Sequence, residues 1–245
     1  MNYKSKFFLF LICFLAVFFV LRLKGETIYT AAHADLSGIG WLFSTIGLIF
    51  SILSGFLIQH LWDKWERIQK IVLEEIHTLD HLIMFSTVTA DIREQSKKAA
   101  ATYIEHVINS EWSEQTKLLT TNDAIEGLRS LNATFITISG SQQEKVAHAK
   151  LINSLLYTRE RRILLSTRRM PSIIKNTFLL SAILVIGLSL LVSINNVMLD
   201  LIFTLSIGSL VCAIYLIVDD MDNILSPGAW HVSSKLYKEF LQKIQ

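Results

Sequence analysis

The sequence predicts an all-α integral membrane protein with four transmembrane helices and a helical cytosolic domain between the second and third spans. Three observations carry this prediction. First, 51% of the 245 residues are hydrophobic, only two are proline, and the mean hydropathy is positive, which is typical of helical membrane proteins. Second, the apolar segments fall into two pairs. Third, a long charged stretch separates the pairs, and its apolar residues recur at helical spacing.

The N-terminal transmembrane pair is predicted within residues 1–61, with spans at about 7–23 and 40–61. Residues 7–21 are an uninterrupted apolar run behind Lys4 and Lys6, a pattern that signal peptides share with short anchors. A small-residue pattern at 32–34 lies well beyond that run. Because signal peptidase cuts closer to the apolar core, we expect the first span to be retained.

The second span organises the chain. No charge interrupts residues 36–62, a length sufficient to cross a bilayer core of about 30 Å as a helix. The apolar residues that follow recur with the spacing of one helical face: Ile68, Val72, Ile76, Leu79 and Ile83. The sequence therefore predicts one long helix from about residue 40 to residue 82, half in lipid and half in water.

The cytosolic domain is predicted at residues 62–170, where no apolar run is long enough to span a membrane. Clusters of Ser, Thr, Asn and Gly indicate helix breaks and caps near residues 87–90, 109–121 and 139–142. Besides the continuation of the second span, we expect helices at about 91–108, 123–138 and 142–168.

The C-terminal transmembrane hairpin is predicted at residues 171–218. Pro171 marks the start of a third span at about 173–194, and Asn195 and Asn196 form a turn before a fourth span at 198–218. Residues 219–245 then form a cytosolic C-terminal segment. Of the 23 Lys and Arg residues, all except Arg22 and Lys24 fall on one side of this arrangement. The positive-inside rule therefore predicts a multi-pass protein of the cell membrane with both termini cytoplasmic.

Enzyme chemistry is not predicted. The sequence contains no phosphate-binding G-x-x-x-x-G-K-[ST] loop, no G-x-S-x-G elbow and no zinc-type spacing of Cys and His. Cys13 and Cys212 both lie in apolar runs, so no disulfide framework is expected. The net charge of +2 does not indicate a nucleic-acid partner. The expected partners are membrane lipids, ions and further copies of the chain.

One face of the second span carries small residues, since Gly47, Ser51 and Gly55 recur every four residues. Such a face permits close packing of a neighbouring helix. A polar pore lining is the alternative interpretation.

Several scattered residues give the chain a resemblance to a known family. They end the second span, occupy the helix after it, form a basic cluster before Pro171, and follow the fourth span: Gln59, Trp62, Asp63, Val72, Glu74, Glu75, Leu79, Arg159, Arg161, Arg162, Met221, Asp222 and Gly228. In this order the chain resembles the bestrophin-like domain family of unknown function, which is distantly similar to bestrophin anion channels. One departure is that Asn223, Ile224 and Leu225 stand where the family commonly has a residue followed by Pro and Phe.

This resemblance implies a homo-oligomeric ion channel, pentameric and anion-conducting, whose second span lines a pore with an apolar constriction that gates by dewetting. One candidate pore line is Ile46, Phe50 and Ser54, and another is Ser44, Ser51 and Gly55. The rotation of the helix about its axis is open, and packing within the subunit is the alternative for both lines. Gln59, Trp62 and Asp63 would form the junction between span and cytosolic domain.

The resemblance also implies a possible calcium site, because bestrophins bind calcium through acidic residues after their last span. Asp219, Asp220 and Asp222 occupy a similar place, and Ca²⁺ prefers six to eight oxygen ligands. The same aspartates have an alternative role as partners of Arg159, Arg161, Arg162 or Arg168. No other cofactor is expected.

A second class of function remains open from the sequence. The chain would then be a membrane-anchored interaction or signalling protein whose cytosolic helices bind a partner, while the spans only anchor and oligomerise it.

Overall fold

The structure is a computed structural model that describes residues 3–24, 36–85, 90–111, 129, 132–133, 141–192, 196–224 and 230–244. Within these ranges the chain is helical and contains no strand, as the fold class predicted. The α-helices are α1 (Tyr3–Lys24), α2 (Leu36–Phe85), α3 (Ala90–His106), α4 (Gln142–Thr167), α5 (Ser172–Leu191), α6 (Val197–Asp222) and α7 (Lys235–Ile244), and a π-helical turn (Val107–Glu111) follows α3. The helix predicted at 123–138 falls almost entirely outside the described residues.

The long helix predicted from the second span is confirmed, since α2 runs unbroken for 50 residues. It contains no proline and no glycine after Gly55, so nothing in its sequence removes a backbone hydrogen bond. The chain does break at Pro171, whose extended backbone (φ −54°, ψ 135°) precedes α5. Asn196 begins α6, and its side chain accepts hydrogen bonds from the N–H groups of Met198 and Leu199, the usual role of an N-cap asparagine.

Three stretches of the described chain are long and apolar enough to cross a membrane: Gly38–Met84, Lys145–Leu191 and Val197–Asp222. The apolar helix Ser5–Leu21 is shorter. The chain is therefore a membrane protein with three candidate spans by length and composition.

The chain divides into two compact units. The first contains α1, the part of α2 up to Asp63, α5, α6 and Trp230. In it, α6 packs against both α1 and α5. Its core is mainly aliphatic with an aromatic stack at the centre, in which Phe178 lies between Phe50 (5.6 Å between ring centroids) and Tyr215 (6.1 Å). The glycine Gly208 admits α1 closely, since a Cβ there would lie 2.9 Å from the ring of Phe14.

The second unit contains the rest of α2 with α3, α4 and α7. The apolar face predicted after the second span forms its core, because Ile68, Val72, Leu79 and Ile83 are buried and Ile76 is partly buried. Helix α7 is amphipathic and buries Tyr237, Phe240 and Ile244 in the same unit. Burial of this apolar face, rather than helix propensity, is what stabilises such helices in water.

Candidate functional site

The first candidate pore line lies inside the first unit. Phe50 and Ser54 are only 5% and 4% exposed, and Ile46 packs partly buried against the same core. The Ser54 hydroxyl donates to the backbone oxygen of Phe50 at 2.6 Å, so it needs no other partner. This line packs against other helices of its own chain, and its burial does not favour a pore-lining role.

The second candidate line lies on the open side of α2. Ser44, Ser51 and Gly55 are exposed, and a Cβ added at Gly47 or Gly55 would meet nothing within 4 Å. The Ser44 hydroxyl donates to the Gly40 oxygen at 2.9 Å. Among the helices that the structure describes, none packs closely against this small-residue face.

A third line on α2 was not recognised from the sequence. Leu48, Ile52 and Phe56 lie four residues apart beside the small-residue face, and they are 62%, 52% and 73% exposed. A row of bulky apolar side chains of this kind is what a dewetting constriction requires. The spacing is present in the sequence, but other apolar residues of the span share it. The burial of Phe50 and Leu57 marks the opposite side of the helix, and Ile49, beside the row, is also 56% exposed.

Of the predicted junction residues, Gln59 and Asp63 contact each other and Trp62 contacts the segment after α6. The Gln59 amide donates to the Asp63 carboxylate at 2.9 Å, and the Trp62 ring meets Trp230 edge-on at 5.3 Å. The backbone N–H of Trp230 donates a hydrogen bond to the Asp220 carboxylate at 3.1 Å. Trp62 of α2 and the turn after α6 are thus joined through aromatic and hydrogen-bond contacts inside the first unit.

The three aspartates predicted to bind calcium have separate partners. Asp219 pairs with Lys175 (2.8 Å) and Lys6 (3.3 Å), so its partners are lysines rather than the arginines considered from the sequence. Asp220 accepts from the Trp230 N–H, and Asp222 accepts from the Met170 N–H at 2.8 Å. In the described parts of the chain, no three His, Cys, Asp or Glu side chains are grouped closely enough to hold a metal ion. The geometry does not favour a shared calcium site, and calcium binding stays a prediction.

The second unit contains a buried polar cluster centred on Glu75. This carboxylate is fully buried and accepts from Arg162 Nε at 2.8 Å, from the Tyr237 hydroxyl at 2.8 Å and from the Tyr103 hydroxyl. The Arg162 guanidinium also lies 5.8 Å from the centroid of the Tyr237 ring. Four helices, α2, α3, α4 and α7, each contribute one side chain to this cluster.

The cluster shifts the pKa of Tyr103. Burial, and then the negative charge of Glu75, raise the pKa of Tyr103 well above its ordinary value of 10.0. Glu75 and Arg162 are both among the residues that carry the family resemblance, but no sequence pattern indicates that they pair, since 87 residues separate them. The donors fully surround the carboxylate, so the arrangement suits structural anchoring rather than exchange with a ligand.

Comparison with known proteins identifies the fold. The chain is similar to the crystal structure of a point mutant of a bacterial bestrophin homologue from Klebsiella pneumoniae, with a TM-score of 0.77 at 10% identity over 98% of this chain and 97% of that one. It is similar to a membrane-protein point mutant (TM-score 0.74, 11% identity, 98% and 97% covered). A further structure of the Klebsiella pneumoniae homologue gives a TM-score of 0.68 at 10% identity, with 89% and 93% covered.

No curated protein matches the chain. The model of the bestrophin-like domain, in contrast, matches residues 7–226. This match covers both predicted transmembrane pairs and everything between them. The chain therefore belongs to the bestrophin-like family.

Proposed function

We propose that this protein is a homo-oligomeric ion channel that conducts anions through a pore lined by α2. Membership of a family related to bestrophin channels supports the class of function. The observation that carries the assignment of the pore is the exposed face of α2, where Leu48, Ile52 and Phe56 lie beside Ser44, Ser51 and Gly55. Around a symmetry axis, the small residues permit close approach of neighbouring helices, and the bulky apolar row narrows the path.

The proposed arrangement in the membrane has four spans, at about 7–23, 40–61, 173–194 and 198–218. Residues 62–170 and 219–245 would lie in the cytoplasm with both termini. The uneven distribution of Lys and Arg supports this orientation. The apolar helix α1 packs against α6 through Phe14 and Gly208, which supports its inclusion as a span despite its shorter apolar run.

Conduction tests the proposal directly. Purified protein in liposomes under a chloride gradient is expected to pass current whose reversal potential follows chloride. Native mass spectrometry of the same preparation is expected to show one closed oligomer, a pentamer if the resemblance extends to subunit number. A closed oligomer that passes no current under any gradient would favour the membrane-anchored interaction protein instead.

A matched pair of substitutions tests the pore face. Phe56→Ala removes an exposed ring and is expected to change conductance or leak while leaving thermal stability nearly unchanged. Phe50→Ala removes a buried ring of the same size and is expected to cost about 3–5 kcal/mol of unfolding free energy. If Phe56→Ala leaves currents and assembly unaltered, Phe56 does not contribute to the constriction.

A further inference from the structure

Two lysines and an aspartate meet where α1 and α5 begin and α6 ends. Lys175 Nζ lies 2.8 Å from one carboxylate oxygen of Asp219, and Lys6 Nζ lies 3.3 Å from the other. All three residues belong to the first unit. Their side chains are nevertheless 39%, 44% and 27% exposed, respectively for Lys175, Lys6 and Asp219. Two ammonium groups thus share one carboxylate at an accessible position.

At this position two ammonium groups pair directly with a single carboxylate. Lys6 and Lys175 lie in the opening turns of their helices, and neither helix has an acidic residue in its first turn. The positive end of the helix dipole therefore adds to the lysine charges. The nearby carboxylates of Asp220 and Asp222 each accept a hydrogen bond from a backbone N–H, and the charge of Asp222 also acts on Lys175.

Large apolar side chains lie next to the lysines on the same helices. Leu9, three residues after Lys6 and on the same helical face, is 52% exposed. Leu179, four residues after Lys175 and on the same helical face, is 39% exposed. A ligand that meets both the ammonium groups and these side chains must carry an anionic head and an apolar body, as an anionic phospholipid does.

We propose that Lys6 and Lys175 bind the phosphate of an anionic phospholipid, and that Asp219 competes with that phosphate for the two ammonium groups. The proposal rests on the membrane arrangement given above, which puts Lys6, Lys175 and Asp219 at the level where spans leave the apolar core. It is independent of conduction. Each lysine would donate hydrogen bonds to phosphate oxygens, while the acyl chains lie along Leu9 and Leu179.

The experiment compares lipids retained by the full-length protein. The protein is reconstituted in nanodiscs that mix phosphatidylglycerol with phosphatidylcholine, then released, and the retained lipids are measured by native mass spectrometry. The wild type is expected to be enriched in phosphatidylglycerol relative to the disc. Lys6→Gln and Lys175→Gln are each expected to lower this enrichment about fivefold. Lys150→Gln, at an exposed lysine of α4, is the matched control and is expected to change nothing.

Asp219→Asn distinguishes lipid binding from a purely structural role of the salt bridges between Asp219 and the two lysines. Removal of the competing carboxylate is expected to raise phosphatidylglycerol retention. If the salt bridges were only structural, the substitution would lower stability equally in both lipids and leave retention unchanged. Lys175→Arg is expected to restore retention that Lys175→Gln loses. Inorganic phosphate added to phosphatidylcholine discs is expected to cause no thermal shift.

Three results would overturn the proposal. The first is equal retention of the two lipids by the wild type, and the second is unaltered enrichment in Asp219→Asn. The third is a thermal shift with inorganic phosphate as large as that with phosphatidylglycerol, which would assign the lysines to a free anion. None of these measurements depends on current, so a channel that fails to conduct leaves the lipid result interpretable.

Discussion

At the scale of single residues, the Glu75 carboxylate accepts hydrogen bonds from side chains of three other helices. A carboxylate in the protein interior is stabilising only when its lone pairs are satisfied and its charge is matched. Arg162 supplies the charge, and Tyr103 and Tyr237 supply further donors. Removal of the carboxylate would leave the buried guanidinium without its ionic partner.

Glu75→Ala is accordingly expected to lower the unfolding free energy by about 3–5 kcal/mol. Tyr237→Phe removes one hydrogen bond to a charged group and is expected to cost about 1.5–3 kcal/mol. Chemical unfolding of the detergent-solubilised protein measures both values. Glu74→Ala, at an exposed neighbour, is the control and is expected to stay within about 0.5 kcal/mol of the wild type. Equal effects of Glu74→Ala and Glu75→Ala would contradict this account of the cluster.

Ionisation of Tyr103 makes the stability of the folded protein depend on pH. Its folded-state pKa is raised above the ordinary value of 10.0, so the folded protein holds this proton at a pH where an unfolded tyrosine releases it. The stability that the neutral hydroxyl contributes is therefore fully present below pH 10 and is lost as the pH rises through the folded-state pKa. Unfolding measured from pH 9 upward is expected to show a smaller decline of stability in Tyr103→Phe than in the wild type. Parallel declines in the two proteins would refute the assignment to Tyr103.

At the scale of elements, the packing of α1 on α6 depends on one glycine. A Cβ at Gly208 would lie 2.9 Å from two ring carbons of the buried Phe14, and Phe14 also stacks on Phe10 (5.7 Å). Gly208→Ala is expected to cost about 1–3 kcal/mol through overpacking. Gly187→Ala, where a Cβ meets nothing within 4 Å, is the matched control and is expected to be neutral or to stabilise α5 by up to about 1 kcal/mol. A thermal melt of each variant checks the pair, and equal melting temperatures would remove Gly208 as a contact point.

Helix α2 shows which features of a helix can be predicted from its sequence. Its unbroken length follows from the absence of Pro and late Gly, and its apolar face after residue 63 follows from the spacing of Ile68, Val72, Leu79 and Ile83, all of which are buried. Residues 40–58 offer no such contrast, because almost every one of them is apolar or small. Both predicted pore lines were equally consistent with that composition, and only the stack of Phe50 on Phe178 distinguishes the inward face.

At the scale of the whole molecule, thiol labelling of the exposed face of α2 distinguishes a water-filled pore from a lipid-facing surface. In a background without Cys13 and Cys212, Ser51→Cys in liposomes is expected to react with a membrane-impermeant thiol reagent, because a thiolate forms only where water reaches it. Leu57→Cys, at a position 7% exposed in the chain, is the control and is expected to stay unmodified. No reaction at Ser51→Cys in a conducting preparation would place this face against lipid or protein and move the pore elsewhere.

The sequence by itself determined the helical class, the membrane character, the family and the position of the long helix, because hydropathy, helical periodicity and Pro171 act locally along the chain. It did not determine which side chains of different helices contact each other. The pairing of Glu75 with Arg162, the lysine partners of Asp219 and the inward rotation of Phe50 depend on contacts between residues far apart in sequence. Only the tertiary structure decided these contacts, because the spacing of residues along one helix does not specify which other helix packs against it.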